Sequence, residues 1–398
     1  MRILAVHNRY QQRGGEDLVY EEECALLEQH GHQVIRCEFS NDEIKNYSAF
    51  QRFLLSGRTT WSTKSYHNLE RLARQENPDV AHFHNTLPLI SPAGYYAVRR
   101  RGCAVVQTLH NYRLTCLNGL LLREGRPCEA CVGKAVPWPG VVHACYRDSR
   151  AASVAVATML TAHRALGTWS KQVDAYIALT ALARQKFIEG GLPPEKLVVK
   201  PNFVYPDPGP GTGQGRYALF VGRLSKEKGI ETMLAAWQES EMPIPLKIVG
   251  DGPEAPRVAA AADQTATVQW LKRQPLEVVY ELMGEAACLL VPSIWYEGLP
   301  RTIVESFARA TPVIASNLGA MSSLIEHGRT GLHFEPGNAD ELASQVRWFW
   351  AHPDDQRRMR RETRAAFEAT FTAERNYEML MAIYETAMAR ARRRRETV

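Results

Sequence analysis

The stretch ACLLVPSIWYEGLPRTIVESFARA, residues 287–310, reads as a strand followed at once by a helix. Its apolar opening has strand length, Pro300 is a favourable first helical residue, and TIVESFARA carries helical spacing. Two carboxylates, Glu297 and Glu305, stand eight positions apart across the Gly298-Leu299-Pro300 step. At ~1.5 Å rise per residue, Glu305 lies only about 7 Å along the helix, its side chain tilted back towards the N-terminus. Both carboxylates are therefore expected to face one crevice, at the carboxyl end of a strand, where open α/β sheets bind ligands.

The same alternation recurs on both sides. RILAVHN, HQVIRCEF, PDVAHFHN, AVVQTLHN and DAYIALT precede it, and YALFVGRL, PLKIVGDG, ATVQWL, TPVIASN and TGLHFEP surround it, with helical stretches between. That pattern predicts parallel sheets covered by helices on both faces. The chain has 398 residues, more than one typical domain holds. Residues 205–216, mostly Pro, Gly and polar, predict the linker between a first domain over 1–204 and a second over 217–371. Two facing domains of this class are expected to share one interdomain cleft. From 339 on the sequence is helical, and the last helix, from Thr372, is expected to return to the first domain.

The hydrophobic share is 45%, with no apolar run long enough to span a membrane. MRILAVHNRY reads as a first strand and lacks the longer apolar core and cleavage site of a signal peptide, which predicts a cytoplasmic protein. The net charge of +5 is unevenly placed, in Arg99–Arg101 and in a tail holding Arg390 and Arg392–Arg395. Such a tail is either a solvated helix end or a handle for an anionic lipid surface. The stretch 47–66, aromatics mixed with Arg and Lys, is either a membrane-surface contact or an ordinary surface helix and loop.

Four loops follow strands in the second half. FVGRLSKEKGIETM places Gly222-Arg223 at a strand end and Lys228-Gly229 before a helix, so two cations five apart flank a turn and can converge on a diphosphate. VGDGPE, with Gly250 and Gly252, YEGLPRTIVE and SNLGAMSSLIEHGRTG are the others. One such loop alone reads as surface cations, whereas four glycine-bearing loops predict a phosphorylated ligand.

Gly222-Arg223, Lys228-Gly229, Gly250 to Glu254, and Glu297 with Glu305 in YEGLPRTIVES together resemble family 4 of the retaining glycosyltransferases, over nearly the whole chain. Leu299 and Pro300 stand where many members carry an aromatic residue and a glycine. The resemblance implies a two-domain GT-B fold and transfer of a hexose from a UDP- or GDP-linked donor, with retention, to a glycan or lipid-linked acceptor at the inner face of a membrane. It implies that Arg223 and Lys228 bind the diphosphate, Glu305 the ribose, and Glu297 the donor sugar, an ionised carboxylate accepting from a vicinal diol. It also implies that Gly298 and Leu299 line that donor site. In the first half, Gly14-Gly15 in HNRYQQRGGEDLVYEEE matches the family's glycine pair near the donor phosphate, and His110 in QTLHNYR its histidine near the donor sugar. His84 in VAHFHNT, on the same strand side as His82, is a candidate acceptor contact. No Asp-x-Asp motif is present, so the resemblance implies transfer without a catalytic metal, with Arg223, Lys228 and helix N-termini in its place.

Four of the eight cysteines, Cys116, Cys128, Cys131 and Cys145, cluster in residues 112–148, expected to be an insertion after His110. The Cys128-x-x-Cys131 pair with two outlying thiols predicts a closed, structural zinc site, against free buried thiols or disulfides as alternatives. A similar segment marks bacterial polysaccharide-assembly members of the family. Two other functions compete. A sugar-nucleotide epimerase of the same architecture needs an acid/base set that Glu297 and Glu305 do not supply, and a zinc-bearing nucleic-acid binder leaves the four loops unexplained.

Overall fold

The computed structural model describes residues 1–11, 14–48, 55, 57–238 and 242–396. The chain forms two compact domains, one of Met1–Leu121, Glu129–Pro201 and Asn376–Val398, the other of Leu122–Cys128 and Asn202–Arg375.

The first domain holds a six-stranded parallel sheet of β1 (Arg2–Arg9), β2 (Gln33–Ser40), β3 (Val80–Phe83), β4 (Ala104–Leu109), β7 (Ala175–Ala178) and β8 (Leu197–Val199), in the order β2-β1-β3-β4-β7-β8. Between β4 and β7, the strands β5 (Leu122–Arg123) and β6 (Arg126–Pro127) pair as a small antiparallel hairpin. The second sheet contains β9 (Ala218–Val221), β10 (Leu246–Val249), β11 (Val268–Trp270), β12 (Cys288–Val291), β13 (Val313–Ser316) and β14 (Gly331–Phe334), in the order β11-β10-β9-β12-β13-β14. Strands such as Cys288–Val291 are buried along their whole length, which is why they read as continuous apolar runs rather than alternating ones.

Both orders reverse direction once. The reversal lies between β1 and β3 in the first sheet and between β9 and β12 in the second, and these are the points where a doubly wound sheet opens a crevice beyond its strand ends. His7, Asn8 and His84 stand at the first, with His110 on the adjacent β4 end, and Gly222, Arg223 and Ser293 to Glu297 stand at the second.

The last helix, Ala373–Glu396, lays Leu380, Ile383, Tyr384, Ala387 and Ala391 against Ile3, Val80, Val106 and Ile177 of the first sheet. Its basic tail is neither wholly solvated nor wholly available to a lipid surface. Arg390 donates to the Asp174 carbonyl at 2.7 Å, Arg394 pairs with the Asp174 carboxylate at 2.5 Å, and Arg395 donates to the Gly102 carbonyl. These cations sit in the helix's last turns, where they also complement its dipole.

Residues 205–216 contain no regular element, yet they are not a loose tether. The amides of Gly211, Gly213 and Gly215 donate to the carbonyls of Arg309, Gly284 and Glu285 at 2.9, 2.9 and 2.8 Å, and Arg364 grips Asp207 at 2.6 Å. A glycine- and proline-rich strip with few apolar side chains is thus fixed largely through its backbone. Of the stretch 47–66, residues 49–54 and 56 lie outside the described residues. Among the described residues no helix is long and apolar enough to cross a membrane.

Candidate active site

In the second domain, Glu297 is buried and accepts from two partners on one oxygen. Lys228 Nζ lies 2.6 Å and Ser293 Oγ 2.7 Å from Glu297 Oε1. Lys228 comes from the turn after β9 and Ser293 from the end of β12, so the pair closes over the point where the strand order reverses. The Lys228 ammonium also stands 5.8 Å from the centre of the Trp295 ring, within cation–π range. Glu305 is equally buried, and Arg301, one helical turn earlier, donates to it through Nε at 2.7 Å. Neither carboxylate caps the helix Arg301–Ala308, and Glu305 does not lie on a surface face. Arg223 projects into solvent, Leu299 is buried, and Gly298 is half-buried.

The glycines of this domain have a structural reason of their own. Gly229 has a φ of +71°, and a Cβ there would come within 1.8 Å of the Pro292 carbonyl oxygen. One at Gly250 would lie 1.8 Å from the Gly222 carbonyl oxygen, and one at Gly252 2.5 Å from that of Leu224. Sequence reasoning assigned these positions to the approach of a ligand; they also let the loops after β9, β10 and β12 pack on one another.

The first domain gathers a different set. Gly14 precedes the helix Gly15–Gln29 in an extended conformation, and its amide donates to Asp17 Oδ2 at 2.8 Å. The other oxygen of Asp17 stands 2.8 Å from His7 Nε2, so the glycine turn is tied to the end of β1. Burial pushes the Asp17 carboxyl up, but the hydrogen bonds from His7 and Gly14 outweigh it and hold it below its ordinary value. A side chain at Gly14 would meet nothing nearer than 3.9 Å, so packing does not require glycine there. Gln12 and Arg13 lie outside the described residues.

Behind this turn stands a buried cluster in which His82 and His84, singled out in the sequence, meet Glu23 and Lys200, which sequence reasoning missed. Glu23 Oε2 is 3.0 Å from the Lys200 ammonium, while its Oε1 lies 3.1 Å from His82 Nδ1 and 3.3 Å from His84 Nε2. His84 Nδ1 in turn is 3.1 Å from His110 Nε2. Burial pushes the Glu23 carboxyl up, yet Lys200 and the two histidines hold it well below the carboxylate range. Burial, reinforced by His82, pushes His84 down to about 3, and burial together with His84 and His7 pushes His110 well below the usual imidazole value. Both histidines are therefore neutral at pH 7. His84 and His110 line a pocket with Asn85, Gln107, Asn111 and Arg113. Both ring nitrogens of His84 are engaged inside the protein, which makes it a neighbour of His110 rather than an open hydrogen-bonding group for an acceptor.

The four cysteines expected to hold zinc are spread over their segment. Among the described residues one set of three metal-capable side chains has its ligand atoms within 4.8 Å of one another, Glu23 with His82 and His84, and the cysteines form no second set. Cys116 donates to Asn118 Oδ1 at 2.9 Å and Cys131 to the Pro137 carbonyl at 3.8 Å, so these sulfurs act as thiol donors within their own loops.

Residues 13–207 match the family model described as Glycosyltransferase Family 4, and residues 210–366 the one described as Glycosyl transferases group 1. Among curated relatives, D-rhamnosyltransferase WbpZ of Pseudomonas aeruginosa is 33% identical over 40% of this chain and 42% of its own length. O-antigen chain mannosyltransferase C of Escherichia coli is 26% identical over 43% of this chain and 47% of its own. The chain thus spans less than half the length of these relatives. Solved structures align over far more. Anabaena Alr3699/HepE, in complex with UDP, has a TM-score of 0.69 over 97% of this chain and 100% of that one, at 16% identity. Sucrose-phosphate synthase from Thermosynechococcus elongatus has a TM-score of 0.72 over 98% and 100%, also at 16% identity. The chain therefore has the α/β GT-B fold, with a Glycosyltransferase Family 4 match on its first Rossmann-like domain and a glycosyl transferases group 1 match on its second.

Proposed function

We propose that this protein transfers a hexose from a nucleoside-diphosphate sugar, UDP- or GDP-linked, to a glycan or lipid-linked acceptor, with retention of anomeric configuration, in polysaccharide assembly at the inner face of a membrane. The observation that carries this reading is the Lys228–Glu297 pair at the strand reversal of the second domain, a cation and a carboxylate 2.6 Å apart at a ligand-binding position. The two glycosyltransferase matches and the UDP bound by the Anabaena neighbour support it.

On this reading Lys228 and the exposed Arg223 receive the negative charge that grows on the departing diphosphate, the part a divalent cation plays in other transferases. A carboxylate has about four acceptor sites. Lys228 and Ser293 use two of those on Glu297, and the rest suit a pair of sugar hydroxyls. Glu305, oriented by Arg301, serves the ribose diol in the same way. The open side of Gly14 fits a backbone turn that lies close to a phosphate, and His110 borders the donor sugar. Incubation with UDP- and GDP-hexoses and a set of oligosaccharide and lipid-linked acceptors tests the proposal, with the product anomer read by NMR. It expects nucleoside diphosphate release coupled to a product that keeps the donor's configuration. An inverted product contradicts retention, and no transfer from any donor contradicts the function.

A further inference from the structure

We infer that Glu23 is a positioning residue that fixes the tautomer of His110 through His84, so that His110 presents an unprotonated Nδ1 as a hydrogen-bond acceptor for a ligand hydroxyl. The inference deepens the reading of His110 as the group beside the donor sugar.

The argument follows the protons from the inside outwards. Glu23 is ionised, since Lys200, itself almost completely buried, lies 3.0 Å from its Oε2. Its other oxygen faces His84 Nε2 at 3.3 Å. A lone pair on that nitrogen would be repelled by the carboxylate, so the proton of the neutral His84 ring sits on Nε2. Nδ1 of His84 is then a lone pair. At 3.1 Å from His110 Nε2 it can only accept, which requires His110 to carry its proton on Nε2. His110 is left with Nδ1 unprotonated. The same logic governs how second partners set the tautomer of metal-bound and catalytic histidines elsewhere.

The surrounding groups share these atoms with the relay. His82 Nδ1 stands 2.8 Å from the Tyr384 hydroxyl and 3.1 Å from Glu23 Oε1, and its Nε2 lies 2.8 Å from Thr108 Oγ1. His7 is committed to Asp17 at 2.8 Å. The trio Glu23, His82 and His84 meets the spacing of a metal site, but the Lys200 ammonium already supplies the positive charge beside Glu23, and Asn376 Oδ1 holds that ammonium at 3.2 Å. A dication there would face a buried like charge, so the cluster is organised as a proton-ordering relay.

The test is a two-bond 1H–15N correlation spectrum of the full chain labelled with 15N-histidine, with resonances assigned by His84→Asn and His110→Asn. The expected result is a His110 ring protonated on Nε2 in wild type and redistributed between both nitrogens in Glu23→Gln. That variant is also expected to lose tenfold or more in kcat with little change in the donor KM, whereas a purely structural role would leave the tautomer unchanged. A wild-type His110 protonated on Nδ1, or a folded Glu23→Gln with unchanged tautomer, overturns the inference. The wild-type spectrum alone can overturn the inference even if the variant fails to fold. Because it requires no turnover, it also stands apart from the test of the proposed function.

Discussion

The two domains place charge at equivalent points of two similar sheets, yet they treat it in opposite ways. In the first, Glu23, Lys200, His82 and His84 are all nearly inaccessible and pack against one another, and His84 shares the pocket wall with His110. In the second, the Glu297 carboxylate is buried but its partner Lys228 is partly exposed, and Arg223 stands in solvent. The first arrangement fixes geometry and the second offers charge. On the proposed reading, the second cluster is the one that meets an ion and the first is the one that orients a neutral ring.

The comparison is broken most forcefully at Glu23. Glu23→Ala leaves the Lys200 ammonium buried without its counterion and is expected to cost about 3–5 kcal/mol of stability, read by denaturant unfolding. A loss under about 1 kcal/mol would mean that the cluster is not closed to water.

Lys228→Ala should do the reverse, sparing the fold and impairing function. Removing one donor to developing charge typically costs about 10²–10³ in rate. Steady-state kinetics is expected to show that loss in kcat/KM, with a melting temperature close to wild type. A stability loss equal to that of Glu23→Ala would erase the distinction between the domains.

Gly229→Ala probes how the second site is packed. A side chain in the left-handed region costs about 1–3 kcal/mol before any clash with the Pro292 carbonyl is counted. Gly14→Ala, where nothing crowds the position, is expected to be nearly neutral in thermal unfolding, and any effect it has belongs to ligand binding.

The smallest effect per step is the pH dependence. His84 is held down to about 3 and His110 well below its ordinary value, whereas both protonate near ~6.5 in the unfolded chain. Below that pH the unfolded state binds more protons, so stability is full above it and falls by about 1.4 kcal/mol per pH unit for each group as pH drops. Glu23, held low, adds a further loss only below ~4.3. Denaturant titrations from pH 7 to 5 are expected to show the slope lessen in His84→Asn.

Much of this was legible in the sequence because parallel strands buried on both faces leave apolar runs, and the runs ending at Val249 and Val291 are bounded by glycine and proline. The turn before Gly229 and the pairing of β12 with the helix after it follow from local spacing. The partner of Glu305 was legible too, since Arg301 stands four residues before it on the same helix face, but the motif drew attention to the acid alone. Glu23 left a fainter signal. It stands in mid-helix in a run of three acids, Glu21 to Glu23, that reads as a solvated face, yet it falls three residues after Tyr20 and four before Leu27, on the buried face. Lys200 left none, because a lysine at a strand end declares its partner only when the helix carrying Asn376 has been folded beside it. The cysteine pattern is open for a related reason: a Cys-x-x-Cys spacing describes two ligands well and says nothing about where the outer two thiols point.

The most direct measurement is thermal unfolding of wild type and Lys228→Ala against UDP, GDP and their common hexose conjugates, which needs no acceptor. A ligand present at ~100 times its dissociation constant adds about 2.7 kcal/mol. The account predicts a clear upward shift with one base series in wild type and its loss in Lys228→Ala. No shift with either series, or an equal shift in the variant, would contradict it.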